Sequence, residues 1–370
     1  MKILVTGGAG FIGSFLIDRL VQDGHKVKIY DNLEPQVHHG KIPSYLNKNA
    51  EFIKADVCNK EKLDQALKSI DIVFHEAAMV GVGQSMYEIE KYTKVNTYGT
   101  AILLDLIVNK HRDHIQKLLI AASMSEYGEG LYLCKTCGNI KPDLRKDKDI
   151  EGKKWDLYCP KGHGKLTPKP TPETTPLYCS SIYALNKRDQ EDMAIMIGKA
   201  FNIPVVALRY FNTYGPRQSL SNPYTGVAAI FISRIKAGKD LIIFEDGNQS
   251  RDFVSVHDIV SANIAAMKSK KANYQIFNVG SGKSISITEV GKSIIYLMKR
   301  QQKLSITNQF RKGDIRHCFA DITKIKKTLG WKPQVDFKKG MRELIEWSER
   351  AESKDFFDDA QKVLKLKGVI

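Results

Sequence analysis

Thr6-Gly7-Gly8-Ala9-Gly10-Phe11-Ile12-Gly13 follows the apolar run Ile3-Leu4-Val5 and leads into a helical pattern. Glycines at positions 7, 10 and 13 permit a tight turn, because glycine adopts positive φ at little cost. They also let the backbone approach a pyrophosphate, which the free N–H groups at the start of the helix can bind. A strand, a glycine loop and a helix in this order predict a dinucleotide site, whose contacts include Phe11 and Ile12.

An acidic residue ends the second predicted strand. Asp31 stands eighteen residues after Gly13, where a carboxylate accepts hydrogen bonds from the adenosine ribose and repels a 2′-phosphate. This favours NAD over NADP, the alternative being a turn aspartate in Asp31-Asn32. Asn32, Asp56 and Val57 are further predicted cofactor contacts, with Asp56 at the adenine edge, although a polar strand end is a weak signal by itself.

Short apolar strands alternate with helical stretches over the first half of the chain. A helix is predicted over residues 13–23. Strands are predicted at 3–5, 27–30, 51–54, 72–74, 118–122 and 205–208. This alternation predicts an α/β fold with a Rossmann-type, doubly wound parallel sheet, which binds ligands at the carboxyl ends of its strands.

The pattern changes twice along the chain, and it indicates two domains and an insertion. Residues 129–172 are rich in Lys, Gly, Pro and Cys, and after residue 210 a helix near 225–237 and strands near 241–244 and 275–279 are mixed with loops. We predict an NAD-binding domain (1–128, continued with the catalytic helix at 173–210), a Cys-containing insertion (129–172), a smaller α/β substrate domain with returns to the first (211–350) and a C-terminal tail (351–370).

The composition excludes several classes of protein. The formal net charge is +16, but the lysines are spread along the chain, and no aromatic–basic interleaving indicates nucleic-acid binding. A solvated surface with a basic cleft for an anionic diphosphate accounts for this charge. No apolar run reaches the roughly 18 residues of a membrane helix. The N-terminus reads as a strand and not as a signal peptide, so we expect a cytoplasmic protein without membrane partners.

Three residues predict the chemistry. Tyr183 and Lys187 lie four apart on one face of a predicted helix. Lys187 and a positive nicotinamide ring are expected to lower the pKa of the phenol, so that Tyr183 takes a proton from a substrate hydroxyl. Ser123, at the end of the fifth strand, would hydrogen-bond the reacting oxygen and relay the proton. Tyr-x3-Lys is common in surface helices, and it is informative here because it follows a dinucleotide loop.

These residues resemble the extended short-chain dehydrogenase/reductase group, and within it the nucleotide-sugar epimerases such as UDP-glucose 4-epimerase. The likeness covers nearly the whole chain. Besides the glycine loop, it is carried by His75-Glu76-Ala77-Ala78, Asn96, Ser123 with Tyr127-Gly128, Tyr183 with Lys187, the stretches 209–216 and 251–258, and Leu329-Gly330-Trp331-Lys332-Pro333.

The resemblance implies a tightly bound NAD, a nucleotide-diphosphate sugar as substrate and a homodimer formed through helices at 85–110 and 183–199. It places Ala77, Ala78, Asn96 and Tyr210 against the cofactor, and Ser125, Asn212, Arg251, Arg311 and Asp314 against the substrate. The arginines suit a diphosphate, because guanidinium forks match phosphate oxygens. A surface salt bridge is the alternative for each of them.

Related activities remain as alternatives. Stretches 127–132 and 215–226 are similar to the dTDP-L-rhamnose 4-epimerase branch. Dehydratases of the group carry an Asp-Glu pair after the catalytic Ser or Thr, and this chain has Met124 and Ser125 there, which argues against dehydration. A one-residue shift of the alignment would, however, bring Glu126 to the glutamate position, where decarboxylases of the group also carry a glutamate. A non-catalytic NAD-binding scaffold is a further alternative, against which the intact Ser123, Tyr183 and Lys187 argue.

The insertion contains a candidate metal site. Cys134 and Cys137, two residues apart, precede Cys159 and His163, and this set resembles a zinc ribbon knuckle. Gly162 stands where a fourth cysteine is expected. The site is therefore either a structural Cys3His zinc site or a degraded one, and the segment could shape or cover the sugar pocket.

Overall fold

The computed structural model describes residues 1–224 and 226–370, so that Thr225, in the second rhamnose-epimerase-like stretch, lies outside the described residues. A seven-stranded sheet is its centre, and every pair of neighbouring strands is parallel. In spatial order the strands are β3 (Glu51–Lys54), β2 (Lys26–Asp31), β1 (Lys2–Thr6), β4 (Ile72–His75), β5 (Lys117–Ser123), β9 (Val205–Tyr210) and β14 (Gln275–Val279). The predicted Rossmann-type sheet is confirmed, and its order reverses between β1 and β4, which opens a crevice there.

Helices cover both faces of this sheet. They are α1 (Phe11–Gln22), α2 (Pro35–His38), α3 (Lys60–Leu67), α4 (Val82–Ser85), α5 (Ile89–Thr93), α6 (Gly99–Leu106), α8 (Ile182–Phe201), α10 (Val256–Lys268) and α12 (Thr323–Leu329), with π-helical segments at Lys94–Tyr98 and Ile107–His111 and 3₁₀ turns at Met124–Tyr127 and Lys270–Ala272. Helix α8 begins where the side chain of Ser181 accepts a hydrogen bond from the Ala184 N–H, a standard N-cap. Among the described residues, no helix combines the length and the apolar character that crossing a membrane requires.

Two apolar clusters sandwich the sheet. Strand β1 shows why: Ile3 and Val5 point into one cluster and Leu4 into the other, because successive side chains of a strand alternate between faces. Helices α1 and α10 pack on the first face, and α6 and α8 on the second. Both faces of the sheet are therefore covered by apolar side chains, and polar residues are accessible at the carboxyl ends of the strands, where the crevice lies.

The chain after Tyr210 builds a smaller unit and returns to the central sheet through β14. Its strands are β10 (Asn212–Tyr214) paired with β13 (Phe253–Ser255), β11 (Leu241–Ile243) paired with β16 (Leu304–Ile306), and β12 (Ser250–Arg251) between β15 (Ile285–Ser286) and β17 (His317–Cys318). Its helices are α9 (Val227–Lys236), α11 (Ile287–Leu297) and α13 (Phe337–Arg350). Apolar side chains such as Phe231, Ile294 and Leu344 form its core.

The insertion folds into a small sheet of its own. Strands β7 (Gly138–Ile140), β6 (Leu131–Cys134) and β8 (Thr167–Lys169) are antiparallel, and helix α7 (Asp147–Glu151) lies between them in the chain. Tyr132, Cys134, Cys159 and Leu166 form a separate apolar cluster. The sequence did not predict these strands, because runs of three or four residues are too short to show a period.

The C-terminal tail packs on the crevice side of the molecule. Helix α14 (Phe357–Leu366) brings a Leu364 methyl group near Gly83, and the carbonyl of Val369 accepts a hydrogen bond of 2.8 Å from the Lys312 N–H. Arg234 of α9 binds Asp358 of the tail at 2.7 Å. The tail therefore connects the two domains next to the cavity described below.

The glycine loop gives a stability prediction. A Cβ on Gly13 would lie 2.4 Å from the Gly7 carbonyl oxygen, which is backbone and cannot move freely. We expect Gly13→Ala to lower the free energy of unfolding by about 2 kcal/mol, as overpacking does. Gly83→Ala is the matched control in another helix, because its Cβ would meet Leu364 at an ordinary 3.5 Å. Urea unfolding measures both, and equal midpoints for the two variants would contradict the prediction.

Candidate active site

A cavity of about 550 Å³ lies at the carboxyl ends of the central strands, at the point where the strand order reverses. All but one of the cofactor, substrate and catalytic residues predicted from the sequence line it. These are Gly7, Gly10, Phe11, Ile12, Gly13, Asp31, Asn32, Asp56, Val57, Ala77, Ala78, Ser123, Ser125, Tyr183, Lys187, Tyr210, Asn212, Arg251, Arg311 and Asp314. Residues far apart in the sequence therefore meet at one cleft.

The glycine loop is shaped for a close ligand. Gly7 has a φ of +67°, and a Cβ there would lie 2.7 Å from the backbone of Ala77. Helix α1 starts without a side-chain cap and without an acidic residue in its first turn, so that its first N–H groups and its positive dipole end are left for an anion. The loop and the helix start thus fit a dinucleotide pyrophosphate.

Asp31 is held at the adenosine end of the cavity. Its carboxylate accepts hydrogen bonds from the Ala9 N–H at 3.0 Å and the Leu33 N–H at 2.8 Å. Burial raises the pKa of Asp31, while the bonds to these amides lower it. Asn32 donates to Asp56 at 2.8 Å, so that these two predicted cofactor residues form one polar wall. This arrangement suits a ribose with free hydroxyls.

Three side chains meet in the cavity where β5 ends and α8 begins. Ser123 ends β5, and its side chain hydrogen-bonds the phenol of Tyr183, which stands in the first turn of α8. The Ser125 hydroxyl donates to the Ser123 hydroxyl at 2.8 Å. Lys187, one turn further along α8, is only 4% exposed and donates to the Ala121 carbonyl at 2.7 Å. The structure thus brings the predicted serine, phenol and ammonium together.

The pKa of the phenol differs from our prediction. Burial raises the pKa of Tyr183 to about 12, and the hydrogen bond with Ser123 lowers it only in part. We expected Lys187 to lower this pKa, but the ammonium bonds the Ala121 carbonyl instead. Burial also lowers the pKa of Lys187 to about 8, although Glu76 and Glu126 raise it. In the protein alone, the phenol is therefore protonated at neutral pH.

Asn96 is the predicted cofactor residue that does not line the cavity. It is fully buried, and its amide bonds the Met79 carbonyl at 3.0 Å and the Met79 N–H at 2.8 Å. Each end of the amide bonds this backbone, and a direct contact with the cofactor stays a prediction. Asn96 fixes the segment that follows Ala78.

Glu76 is a cavity residue that the sequence analysis missed. Its carboxylate accepts a hydrogen bond of 2.8 Å from the Tyr210 hydroxyl, which in turn accepts one of 2.7 Å from Asn263. Burial raises the pKa of Glu76 to about 7, while Tyr210 and Lys187 lower it. Its place directly after β4 was a usable signal, because side chains at that sheet edge reach the crevice.

The far end of the cavity carries the predicted substrate residues. Arg311 donates to Asp314 at 2.9 Å, and its guanidinium lies 4.9 Å from the centre of the Phe244 ring. Arg251 lines the cavity, but its terminal nitrogens already donate to the carbonyls of Ser250, Ile315 and Arg316 at 2.6–3.0 Å. Arg251 therefore has fewer N–H donors left to bind a diphosphate, and Arg311 is the better candidate for the diphosphate contact.

Two amide oxygens at this end are free to bind a ligand. Asn212 Oδ1 and Gln218 Oε1 are buried and lack a hydrogen-bond partner within the part of the chain that the structure describes, and both residues line the cavity. Asn212 was predicted from the resemblance, whereas Gln218 and the tail residue Phe357 were missed. The tail could not be assigned to the cavity, because it has no motif of its own.

Glu126 has a structural role next to this site. Its side chain accepts a hydrogen bond of 2.8 Å from the Ser123 N–H and completes a capping box for the turn after β5. It is fully buried, lies 3.5 Å from the Arg209 guanidinium and does not line the cavity. Positions 124 to 126 therefore present no carboxyl group to a bound sugar.

The four candidate metal ligands lie together in the insertion. His163 Nδ1 is 3.1 Å from Cys137 Sγ, 3.7 Å from Cys159 Sγ and 3.9 Å from Cys134 Sγ, and all four ligand atoms lie within 4.8 Å of one another. A tetrahedral zinc with Zn–S bonds of about 2.3 Å needs sulfurs about 3.8 Å apart. Cys137 and Cys159 have that separation, 3.8 Å, so the set fits a zinc ion.

Comparisons with known proteins agree with this geometry. Residues 3–143 match the model of the NAD dependent epimerase/dehydratase family, and residues 162–344 match that of GDP-mannose 4,6 dehydratase. The chain is 35% identical to the dTDP-L-rhamnose 4-epimerase of Burkholderia thailandensis over 353 residues, 94% of either chain. Its relatives also include a decarboxylase and dehydratases of nucleotide sugars.

Solved structures of epimerases have the same architecture. The UDP-glucose 4-epimerase of Thermotoga maritima with UDP-glucose superposes with a TM-score of 0.78 at 30% identity, covering 95% of this chain and 99% of the other. The UDP-glucuronic acid 4-epimerase of Bacillus cereus with UDP-glucuronic acid and NAD gives a TM-score of 0.77 at 26% identity, with the same coverage. The chain thus belongs to the NAD dependent epimerase/dehydratase family and, within it, to the NAD-dependent nucleotide-sugar epimerases of the extended short-chain dehydrogenase/reductase group.

Proposed function

We propose that this epimerase inverts carbon 4 of a nucleotide-diphosphate hexose, either dTDP-L-rhamnose or a UDP-hexose, through a 4-keto sugar. The observation that carries the proposal is the meeting of Ser123, Tyr183 and Lys187 in one cavity with the glycine loop. The identity to a dTDP-L-rhamnose 4-epimerase favours the first of these substrates.

The side chains have separate tasks in this reaction. NAD, held by the glycine loop and Asp31, would supply a reversible hydride acceptor for carbon 4, so that the hydride could return to the opposite face of the sugar. Tyr183 exchanges a proton with the hydroxyl on that carbon, and Ser123, which hydrogen-bonds the phenol, holds the reacting oxygen. Lys187, buried and bonded to the Ala121 carbonyl, holds helix α8 so that the phenol stays beside Ser123.

The substrate must turn between the two hydride transfers, which defines the rest of the site. A fixed diphosphate and a roomy sugar pocket are needed. Arg311, held by Asp314 and Phe244, is the proposed diphosphate contact, and the free oxygens of Asn212 and Gln218 can accept hydrogen bonds from substrate hydroxyls. Dehydration needs a further acid and base, and the burial of Glu126 outside the cavity argues against it.

Tyr183→Phe tests this function. Denatured wild-type protein should release NAD, and native protein should convert dTDP-L-rhamnose or a UDP-hexose into its 4-epimer. The variant should lose about 10²- to 10⁴-fold in kcat, the usual contribution of a positioned acid–base group, and should retain NAD. Tyr296→Phe, at a tyrosine 80% exposed on α11, is the control. Normal turnover by the Tyr183 variant would refute the assignment.

We also propose that the insertion binds one structural zinc ion through Cys134, Cys137, Cys159 and His163. The support is that all four ligand atoms lie within 4.8 Å of one another and that the sulfurs of Cys137 and Cys159 have the separation of a tetrahedral zinc site. Elemental analysis should find about one zinc per chain in the wild type and about none in Cys137→Ser, whose melting temperature should fall because ligand binding is coupled to folding. Cys58→Ser, at a cysteine outside the cluster, is the control. Wild-type protein that stays metal-free after expression with added zinc would contradict the proposal.

We further propose a homodimer formed through α5, the adjoining π-helical segment and α8, which pack against one another. Large apolar side chains on them are exposed, among them Tyr98 at 56% and Met196 at 66%. Met196→Glu should convert the dimer into a monomer, because a buried interface does not tolerate an unpaired charge. Light scattering measures the mass, with Tyr296→Glu as the control, and a monomeric wild type would contradict the proposal.

The cytoplasm as the place where this protein acts stays a prediction.

A further inference from the structure

A cluster of charged side chains joins the insertion to the substrate domain. It consists of two arginines, Arg145 and Arg316, and four carboxylates, Glu129, Asp156, Glu245 and Asp246. Arg145, Glu129 and Asp156 belong to the insertion, whereas the other three belong to the substrate domain. Both guanidiniums are almost completely buried, with side-chain exposures of 4% and 1%.

Arg145 forms one half of this junction. Its guanidinium binds Glu245 at 2.7 Å and Glu129 at 3.3 Å, and it donates to the Asp314 carbonyl at 3.0 Å. A planar guanidinium presents its N–H donors in a fixed fork toward these partners, a geometry that the ammonium of a lysine does not reproduce. An insertion side chain is therefore bonded directly to the backbone of a residue that lines the cavity.

Arg316 forms the other half. It binds Glu245 at 2.9 Å, both oxygens of Asp246 at 2.6 and 2.8 Å, and Asp156 at 3.2 Å. Its own N–H donates to Glu129 at 2.7 Å. The segment around Arg316 is thus fixed to the insertion by both its backbone and its side chain.

The fixed segment carries the anion-binding end of the cavity. Arg311 is bonded to Asp314, whose carbonyl Arg145 holds, and stacks on Phe244, the neighbour of Glu245 in the chain. Arg251 donates to the carbonyls of Ile315 and Arg316 in the same segment. Both arginines facing the cavity are therefore positioned by groups that the cluster holds.

We propose that the insertion positions Arg311, the proposed diphosphate contact, and Arg251 beside it, with Arg145 and Asp156 as positioning residues that act through Asp314, Glu245 and Arg316. The proposal rests on the proposed function, because it concerns the same substrate site. Among the described residues, none from 129–172 lines the cavity, so the insertion does not cover the sugar pocket, and its effect on the site passes through its contacts with the substrate domain.

The kinetic consequence follows from where the arginines act. The diphosphate keeps its charge and its contacts while the sugar is oxidised and reduced, so these contacts are equal in the ground state and the transition state. A loss of such binding raises KM and leaves kcat unchanged. A general loss of structure would instead lower kcat and release NAD, and the two cases can therefore be told apart.

The test uses Arg145→Lys and Asp156→Asn in the full-length protein, with Lys161→Ala as the control at an exposed lysine of the insertion. Arg145→Lys keeps the positive charge but loses the planar set of N–H donors of the guanidinium. Asp156 is partly exposed, so its variant should fold even if the first does not. Calorimetry measures binding of dTDP and UDP, and kinetics gives KM and kcat for the nucleotide sugar.

We expect Arg145→Lys to weaken nucleoside diphosphate binding and raise KM by about tenfold, since small displacements of positioning groups have effects of this order or larger. Asp156→Asn should show a smaller change of the same kind, with kcat and NAD content unchanged in both. Folded variants that bind dTDP and UDP like the control would overturn the inference, as would a fall in kcat at unchanged KM. If the wild type binds neither nucleotide, the proposed function itself fails.

Discussion

The hydrogen bond from Lys187 to the Ala121 carbonyl is the interaction on which the site depends. It joins helix α8 to the central strand β5, and it does so in a buried place, two residues before Ser123. With α8 fixed there, the phenol of Tyr183 reaches the Ser123 side chain. Burial that lowers the pKa of this lysine is offset in part by Glu76 and Glu126, so that the charge is kept close to the reacting groups at neutral pH.

The two ends of the cavity are built in different ways. Parallel strands of one sheet supply the glycine loop, Asp31 and Ser123, and their backbone hydrogen bonds fix these groups relative to one another. The substrate end is built from loops of the second domain, from the tail and from a segment held by the insertion. Such a division suits a reaction in which the cofactor stays in place, the diphosphate is anchored and the sugar turns.

Much of the fold and of the site could be predicted because the decisive signals are local. The glycine loop, the strand ends at Asp31 and Ser123, and the spacing of Tyr183 and Lys187 each need only a short stretch of sequence. The backbone contacts of Asn96 could not be predicted, because spacing does not reveal whether an amide bonds the backbone of a neighbouring segment such as Met79. The cluster of Arg145 with Glu245 and Arg316 was invisible for another reason, since its members are some 70 to 170 residues apart and no local pattern links them.

The fate of the hydrogen on carbon 4 tests the central claim most directly. The protein is incubated in ordinary water with the nucleotide sugar that it epimerises, carrying deuterium at carbon 4, and the product is examined by NMR and mass spectrometry. If the hydride leaves and returns within this one cavity, the product retains the deuterium at carbon 4. Loss of the label to water would contradict the account, because the inversion would then proceed by removal and return of a proton.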